Sequence, residues 1–148
     1  MTADTPIRRA TADDAPACAA ILNDWIDATD WMPRIHPSED VVRHYRQTVL
    51  PTRRVWVAGD PVHGFLALEP AAGAVAALYL APGARGCGIG RALLMRAREG
   101  RAALHLWTFE ANEDARRFYE ANGFRRTART DGDNEEGLPD LRYDWAAA

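Results

Sequence analysis

The chain has 148 residues, 47% of them hydrophobic, enough for one folded unit with a real core, so a single domain over residues 1–148 is expected. A formal net charge of −3, with no dense basic cluster on any helix-like stretch, gives no electrostatic case for nucleic acid. No apolar run approaches membrane-spanning length and Met1 to Pro6 lacks the apolar segment of a secretory leader, so no membrane partner and a cytoplasmic location are expected.

Ile7 to Ala10 reads as a first strand, and Thr11 with Asp13 and Asp14 opens a helix to about Asp27. Cys18, Ile21, Leu22 and Trp25 share one apolar stripe of that helix, which makes Cys18 a small core residue. Pro33 and Pro37 end helical structure, and Ser38 with Glu39 and Asp40 starts a second helix to about Leu50. Val55 and Val57, then Phe65 to Leu68, alternate as two strands around Gly59-Asp60-Pro61. Pro70 to Gly73 turns the chain into a further strand ending at Leu80.

A tight glycine-rich loop follows, and then a helix with Ile89, Leu93, Leu94 and Ala97 on one face that ends near Gly100. Leu104 to Phe109, Phe124 to Thr127 and Leu141 to Trp145 supply three more strands, giving a mixed sheet flanked by helices. Thr130 to Asp140, rich in Gly, Asp and Glu, reads as a solvated connection. The two cysteines make no disulfide framework, and His36, His44, His63 and His105 show no paired ligand spacing, so no metal is expected.

The loop carries the chemistry. In Arg85-Gly86-Cys87-Gly88-Ile89-Gly90-Arg91, the glycines free successive backbone N–H groups to converge on an anion at a helix N-terminus. Arg85 and Arg91 crowd an end that would ordinarily attract acids, which makes sense for an anionic ligand such as a phosphate. A dinucleotide fingerprint fails, because Arg91 or Leu93 stands where its third glycine belongs. The chain contains no lysine, which removes both a Walker loop and a pyridoxal Schiff base.

Arg85, Gly88 and Gly90 match the Arg or Gln, two residues, Gly, one residue, Gly or Ala signature of the GNAT superfamily, which the chain resembles. A second block agrees in order: a strand from Leu104 to Glu110, then Asn112, Tyr119 and Gly123-Phe124. The resemblance implies an α/β (α+β) GNAT fold, a mostly antiparallel mixed sheet of about six to seven strands with about four helices. It implies an N-acetyltransferase that moves acetyl from acetyl-CoA to a primary amine by direct attack on the thioester.

In that reading the amides of Gly86, Cys87, Gly88, Ile89, Gly90 and Arg91, with Arg85, bind the coenzyme A diphosphate, and Cys87 contributes its backbone. Backbone groups of Leu78, Tyr79 and Leu80 face the pantetheine arm and thioester. Asn112 contacts the arm or simply caps the helix that begins with Glu113 and Asp114. Tyr119 is the expected general acid for the departing thiolate; by periodicity alone it would fill the core.

No acid stands at Leu78 or Trp107, where many relatives place a general base. Glu69, His63, Glu110 and a water chain are the alternatives. The resemblance also implies that the acceptor cleft is walled by the loop Trp31 to His36 and by Asp131 to Asp140. Trp31 and Met32 would form an apolar wall and Arg34 would clamp a carboxylate, favouring an amino acid-like small molecule. Asp133, Glu135 and Glu136 would instead attract a cationic amine. A protein N-terminus or lysine, and a non-catalytic acyl-CoA sensor, are the alternatives to a small-molecule acceptor, and a homodimer is compatible with all of them.

Overall fold

The computed structural model describes residues 5–148, so the leader reading of Met1 to Asp4 lies outside the described residues. β1 (Ile7–Arg9) leads through a 3-10 turn (Ala12–Asp14) into α1 (Ala15–Ala28). Thr11 N–H donates to Asp14 Oδ2 at 2.8 Å, and Arg8 donates to both oxygens of the same carboxylate at 2.8 and 2.9 Å. One side chain thus closes the capping box of the 3-10 turn that leads into α1 and ties it to the first strand. Pro16 in the first turn is tolerated because its missing N–H would have no helical acceptor.

α2 (Ser38–His44) continues through a π-helical turn (Tyr45–Val49) into α3 (Leu50–Thr52), two residues beyond the sequence expectation. Pro51 has no N–H for the helical ladder, and Leu50 N–H reaches back to Tyr45 O. The wider turn buries both Tyr45 and Val49 against the sheet.

β2 (Arg54–Ala58), β3 (Gly64–Glu69) and β4 (Ala74–Leu80) pair antiparallel in sequence, with β1 on the outer side of β2. β2 and β3 are buried on both faces, and their period of two separates two cores. Val55, Val57, Phe65 and Ala67 pack with Cys18, Ile21, Tyr45 and Val49 under α1 and α2. Trp56, Leu66 and Leu68 pack on the opposite face with Leu93, Leu94 and Tyr119. That second face is covered by α4 (Ile89–Arg98) and α5 (Glu113–Ala121), with β5 (Ala103–Phe109) between them in the chain.

β6 (Arg125–Thr130) and β7 (Asp140–Ala146) complete a seven-stranded sheet in the order β1-β2-β3-β4-β5-β7-β6. β6 runs further than the expected Phe124 to Thr127, and its sequence Arg-Arg-Thr-Ala-Arg-Thr has no alternation because the strand lies at the sheet edge and is almost wholly exposed. Its register slips between Arg126 and Ala128, and Thr127 hydroxyl donates to Asp144.

One junction in the sheet is left open. β4 and β5 run parallel and pair only at Ala74 and His105, where His105 N–H donates to Gly73 O at 2.9 Å. β4 stays paired to β3 as far as Leu80, and β5 stays paired to β7 as far as Phe109. The two central strands therefore diverge toward their C-terminal ends, and a wedge opens in the middle of the sheet.

Candidate active site

The glycine loop joins a 3-10 turn (Pro82–Ala84) to α4 beside that wedge. Gly86 and Gly88 hold φ of 75° and 83°, left-handed values that a side chain would strain and that let successive amides converge. The amides of Gly86, Cys87 and Gly88, and those of Ile89, Gly90 and Arg91 in the first helical turn, donate to no main-chain acceptor outside their own helix among the described residues. Gly90 is required for a different reason: a Cβ there would lie 3.1 Å from Phe118 Cζ, so its bareness lets α5 pack against α4.

No acid stands in the first turn of α4. Neither Arg85 nor Arg91 is paired with a carboxylate among the described residues. Cys87 packs against the core with its thiol 3.5 Å from Arg85 O. Unused amides and two unpaired cations make this segment an anion cradle.

From the cradle a cleft of about 340 Å³ runs between β4 and α5, lined by Leu78, Tyr79, Leu80, Asn112, Phe118 and Tyr119, with Trp25 of α1 on its far wall. Asn112 caps α5, its Oδ1 accepting Ala115 N–H at 3.2 Å, and also lines the cleft. Tyr119 is 7% exposed and its ring lies against Phe118, Phe124 and Tyr143. Tyr143 hydroxyl donates to Glu120 at 2.7 Å, whereas Tyr119 hydroxyl bonds no group among the described residues. Burial, with a smaller contribution from Tyr79, pushes the Tyr119 phenol well above its ordinary value, so it remains a proton donor.

A second cleft, about 660 Å³, lies on the other side of Tyr79, which lines both. Burial pushes the Tyr79 phenol up to about 12, with Glu136 adding to the shift. Ala76 of β4 with Trp107 and Phe109 of β5 form the floor where the strands part, and Met32, Pro33, Ile35 and His36 form one side. Glu135 and Glu136 come from the β6–β7 loop opposite, and His36 Nε2 lies 3.2 Å from Glu135 Oε2.

Arg34 is not in this cleft. Its guanidinium is spent on the C-terminal half of α1 and on its own loop, binding Asp27 at 2.9 and 3.1 Å, Asn23 Oδ1 at 3.1 Å, Asn23 O at 3.2 Å and His36 O at 3.0 Å. Trp31 stacks edge-on between Trp25 and Phe109 and lines a polar hollow with Asp30 and Glu113, leaving the apolar side of the second cleft to Met32, Pro33 and Ile35.

A family model for the acetyltransferase (GNAT) domain matches residues 51–126. Peptidyl-lysine N-acetyltransferase YjaB of Escherichia coli is 34% identical over 134 residues, covering 86% of this chain and 87% of its own. The chain belongs to the GNAT family. Peptidyl-lysine N-acetyltransferase YiaC of the same organism is 31% identical over 123 residues, covering 80% of this chain and 82% of its own. The solution structure of apo YjaB superposes with a TM-score of 0.76 at 29% identity, over 97% of this chain and 98% of that one. The YncA structure of Salmonella typhimurium, solved with acetyl-CoA, shares the fold with a TM-score of 0.72 at 23% identity, over 98% of this chain and 97% of that one.

As a GNAT enzyme the protein is an acetyl-CoA-dependent N-acetyltransferase, and acetyl-CoA supplies the activated acyl group. The residues present fit that cosubstrate: the cradle offers unused donors and cations suited to a diphosphate, and the adjoining cleft is long and largely apolar, suited to an extended arm. Among the described residues no helix is long and apolar enough to cross a membrane, and no His, Cys, Asp and Glu groups gather to hold a metal ion.

The sequence candidates for a base lie elsewhere. Glu69 is paired with Arg53 at 3.1 Å and Glu110 with Arg129 at 3.0 Å, and neither they nor His63 line either cleft. The Arg129 guanidinium holds the Glu110 carboxyl below its usual range. Sequence reasoning placed Trp25 only on a core stripe and assigned Tyr79 only a backbone role. The bracketing of Tyr79 by Leu78 and Leu80 was the available signal, because a period of two turns its ring to the opposite face.

Proposed function

We propose that this GNAT enzyme acetylates the side-chain amine of a lysine presented by a protein or peptide. The observation that carries the reading is the lining of the acceptor cleft: Asp40, Glu135 and Glu136 among aromatic and aliphatic walls, and no arginine. A protonated amine on an aliphatic stem matches those groups, whereas a free amino acid also needs a cation for its carboxylate. Arg34, the sequence candidate for that cation, has its nitrogens committed to Asp27, Asn23 and His36. The names of YjaB and YiaC support the same acceptor class.

In this reading residues 1–148 act as one acetyltransferase domain in the cytoplasm, and a second copy is not needed because one chain lines both clefts. The amides from Gly86 to Arg91, with Arg85, hold the diphosphate, and the β4 backbone from Leu78 to Leu80 holds the arm and polarises the thioester carbonyl. Asn112 faces the arm while capping α5. Tyr119 delivers a proton to the departing sulfur. A small diamine or polyamine is the second reading, favoured by the His36 to Glu135 contact that links the two loops flanking the cleft.

Thiol release from acetyl-CoA, with mass spectrometry of the acceptor, tests the assignment. An Nα-acetylated lysine peptide should be acetylated at Nζ, and free α-amino acids should be poor acceptors. Preference for free amino acids would overturn the peptide reading, and preference for spermidine would favour the second. Arg34→Ala should cost about 1–3 kcal/mol of stability by leaving Asn23 groups unpaired, with an unchanged KM for the peptide. A selective rise in KM for carboxylate-bearing acceptors would restore the clamp.

A further inference from the structure

Transfer to a protonated amine needs a group that takes its proton, and the side chains the sequence suggested for that task, Glu69, His63 and Glu110, lie outside the two clefts. The acceptor cleft contains other titratable groups, and most of them are engaged. Asp40 pairs with Arg43 at 2.8 Å, and Glu135 lies 3.2 Å from His36. Glu136 forms no hydrogen bond or ion pair among the described residues, while its charge acts on the Tyr79 phenol, the side chain common to both clefts.

The position of Glu136 is built by its loop. Asn134 Oδ1 accepts Leu138 N–H at 3.2 Å, its Nδ2 donates to Leu138 O at 2.8 Å, and Gly137 N–H donates to Asn134 O at 3.1 Å. This closed turn brackets Glu135 and Glu136. Glu135 is exposed and reaches His36, whereas Glu136 is half-buried and lines the cleft.

We propose that Glu136 is the general base of the reaction, its free carboxylate taking a proton from the substrate ammonium beside Tyr79. This rests on the acceptor cleft assigned above. Glu136 accepts one proton from R–NH3+ and passes it to solvent. The freed lone pair forms the C–N bond to the acetyl carbonyl carbon, and the C–S bond breaks with its electrons on sulfur. Tyr119 protonates that sulfur and is reprotonated by the second proton that nitrogen loses. The balance is ammonium plus thioester to amide, free thiol and one released proton. The groups facing Glu136 that also titrate or carry charge are His36, Asp40, His44, Tyr45, Tyr79 and Glu135. His44, edge-on to Tyr45 and with no hydrogen bond or ion pair among the described residues, is the competitor.

The test compares wild type, Glu136→Gln, Glu136→Asp and His44→Gln on two peptides of identical backbone. One carries lysine, an ammonium at pH 7 with a pKa near about 10.4. The other carries an aminooxy group in place of the side-chain amine, neutral at pH 7. Glu136→Gln should lower kcat on the lysine peptide about 100-fold at pH 7 with little change in KM. The deficit should shrink as pH rises toward the amine pKa, disappear on the aminooxy peptide, and be partly restored in Glu136→Asp.

Wild-type rates in Glu136→Gln, a change in KM alone, or equal deficits on both peptides would overturn the proposal. An ammonium-specific deficit in His44→Gln alone would assign the proton to the imidazole instead. Wild-type turnover with spermidine but not with the lysine peptide would refute the peptide reading. The same comparison of variants, run with spermidine across pH, would then still decide on Glu136.

Discussion

Tyr119 and Arg34 illustrate how little a side chain's identity says until its partners are known. Both belong to types that serve equally well in catalysis and in structure. Tyr119 sits among aromatic rings, as a core residue would, yet its hydroxyl has no partner among the described residues and its ring lines the cleft beside the glycine loop. Removing that hydroxyl leaves no buried group unpaired, so Tyr119→Phe should fold with near wild-type stability. It should bind acetyl-CoA normally in calorimetry and lose about 100-fold in kcat. Retained turnover would remove Tyr119 from the reaction. Arg34 is the opposite case: it has the right chemistry for a carboxylate, but its donors are already used on Asn23 and Asp27 of the preceding helix.

At the scale of elements, the site depends on a strand, a loop and a helix start that are adjacent in sequence, and on a gap that is not. Gly88 precedes α4 in the left-handed region, and its amide belongs to the cradle. Gly88→Ala should therefore cost about 1–2 kcal/mol in backbone strain and weaken acetyl-CoA binding, read by thermal melting and titration calorimetry. Gly90→Leu should act differently, by pushing α5 away through Phe118, and should lower stability with or without the cosubstrate. Equal acetyl-CoA affinity in a folded Gly88→Ala variant would remove the cradle assignment. The wedge between β4 and β5 is a property of pairing, since each strand stays with its other neighbour to its C-terminal end, β4 with one register shift at Ala76.

For the whole molecule, the two cores on opposite faces of the sheet bring the two clefts together at Tyr79. The same architecture has an acid-sensitive tie at its start. The Arg8 hydrogen bonds hold the Asp14 carboxyl below its usual range, against a smaller opposing effect of burial. A folded-state pKa below the unfolded one stabilises the fold above the ordinary aspartate value of about 3.9 and ceases to do so as pH falls through the lowered value. Asp14→Asn should accordingly lower the Tm at pH 7, and the difference from wild type should narrow as the pH is taken below about 3.9. A constant difference across that range would show that the charge of Asp14 is not what matters.

The strands, the glycine loop and the helix bearing Tyr119 were legible in the residues because their causes are local: alternation of apolar side chains, glycine at left-handed positions, and capping by Asn112. The length of the second helix was less so, because the turn from Tyr45 to Val49 is set by what those side chains bury. Contacts between distant segments were not legible at all. Which wall Trp31 joins and how Glu136 comes to share a cleft with Tyr79 depend on segments tens of residues apart, and the donors Arg34 has left depend on how its loop folds back on α1. Sequence by itself determined the family and with it the cosubstrate, since the motifs that carry both reside in short runs of residues. Tertiary structure decided where the second cleft opens and which residues line it, because a cleft exists only where separate elements leave space between them.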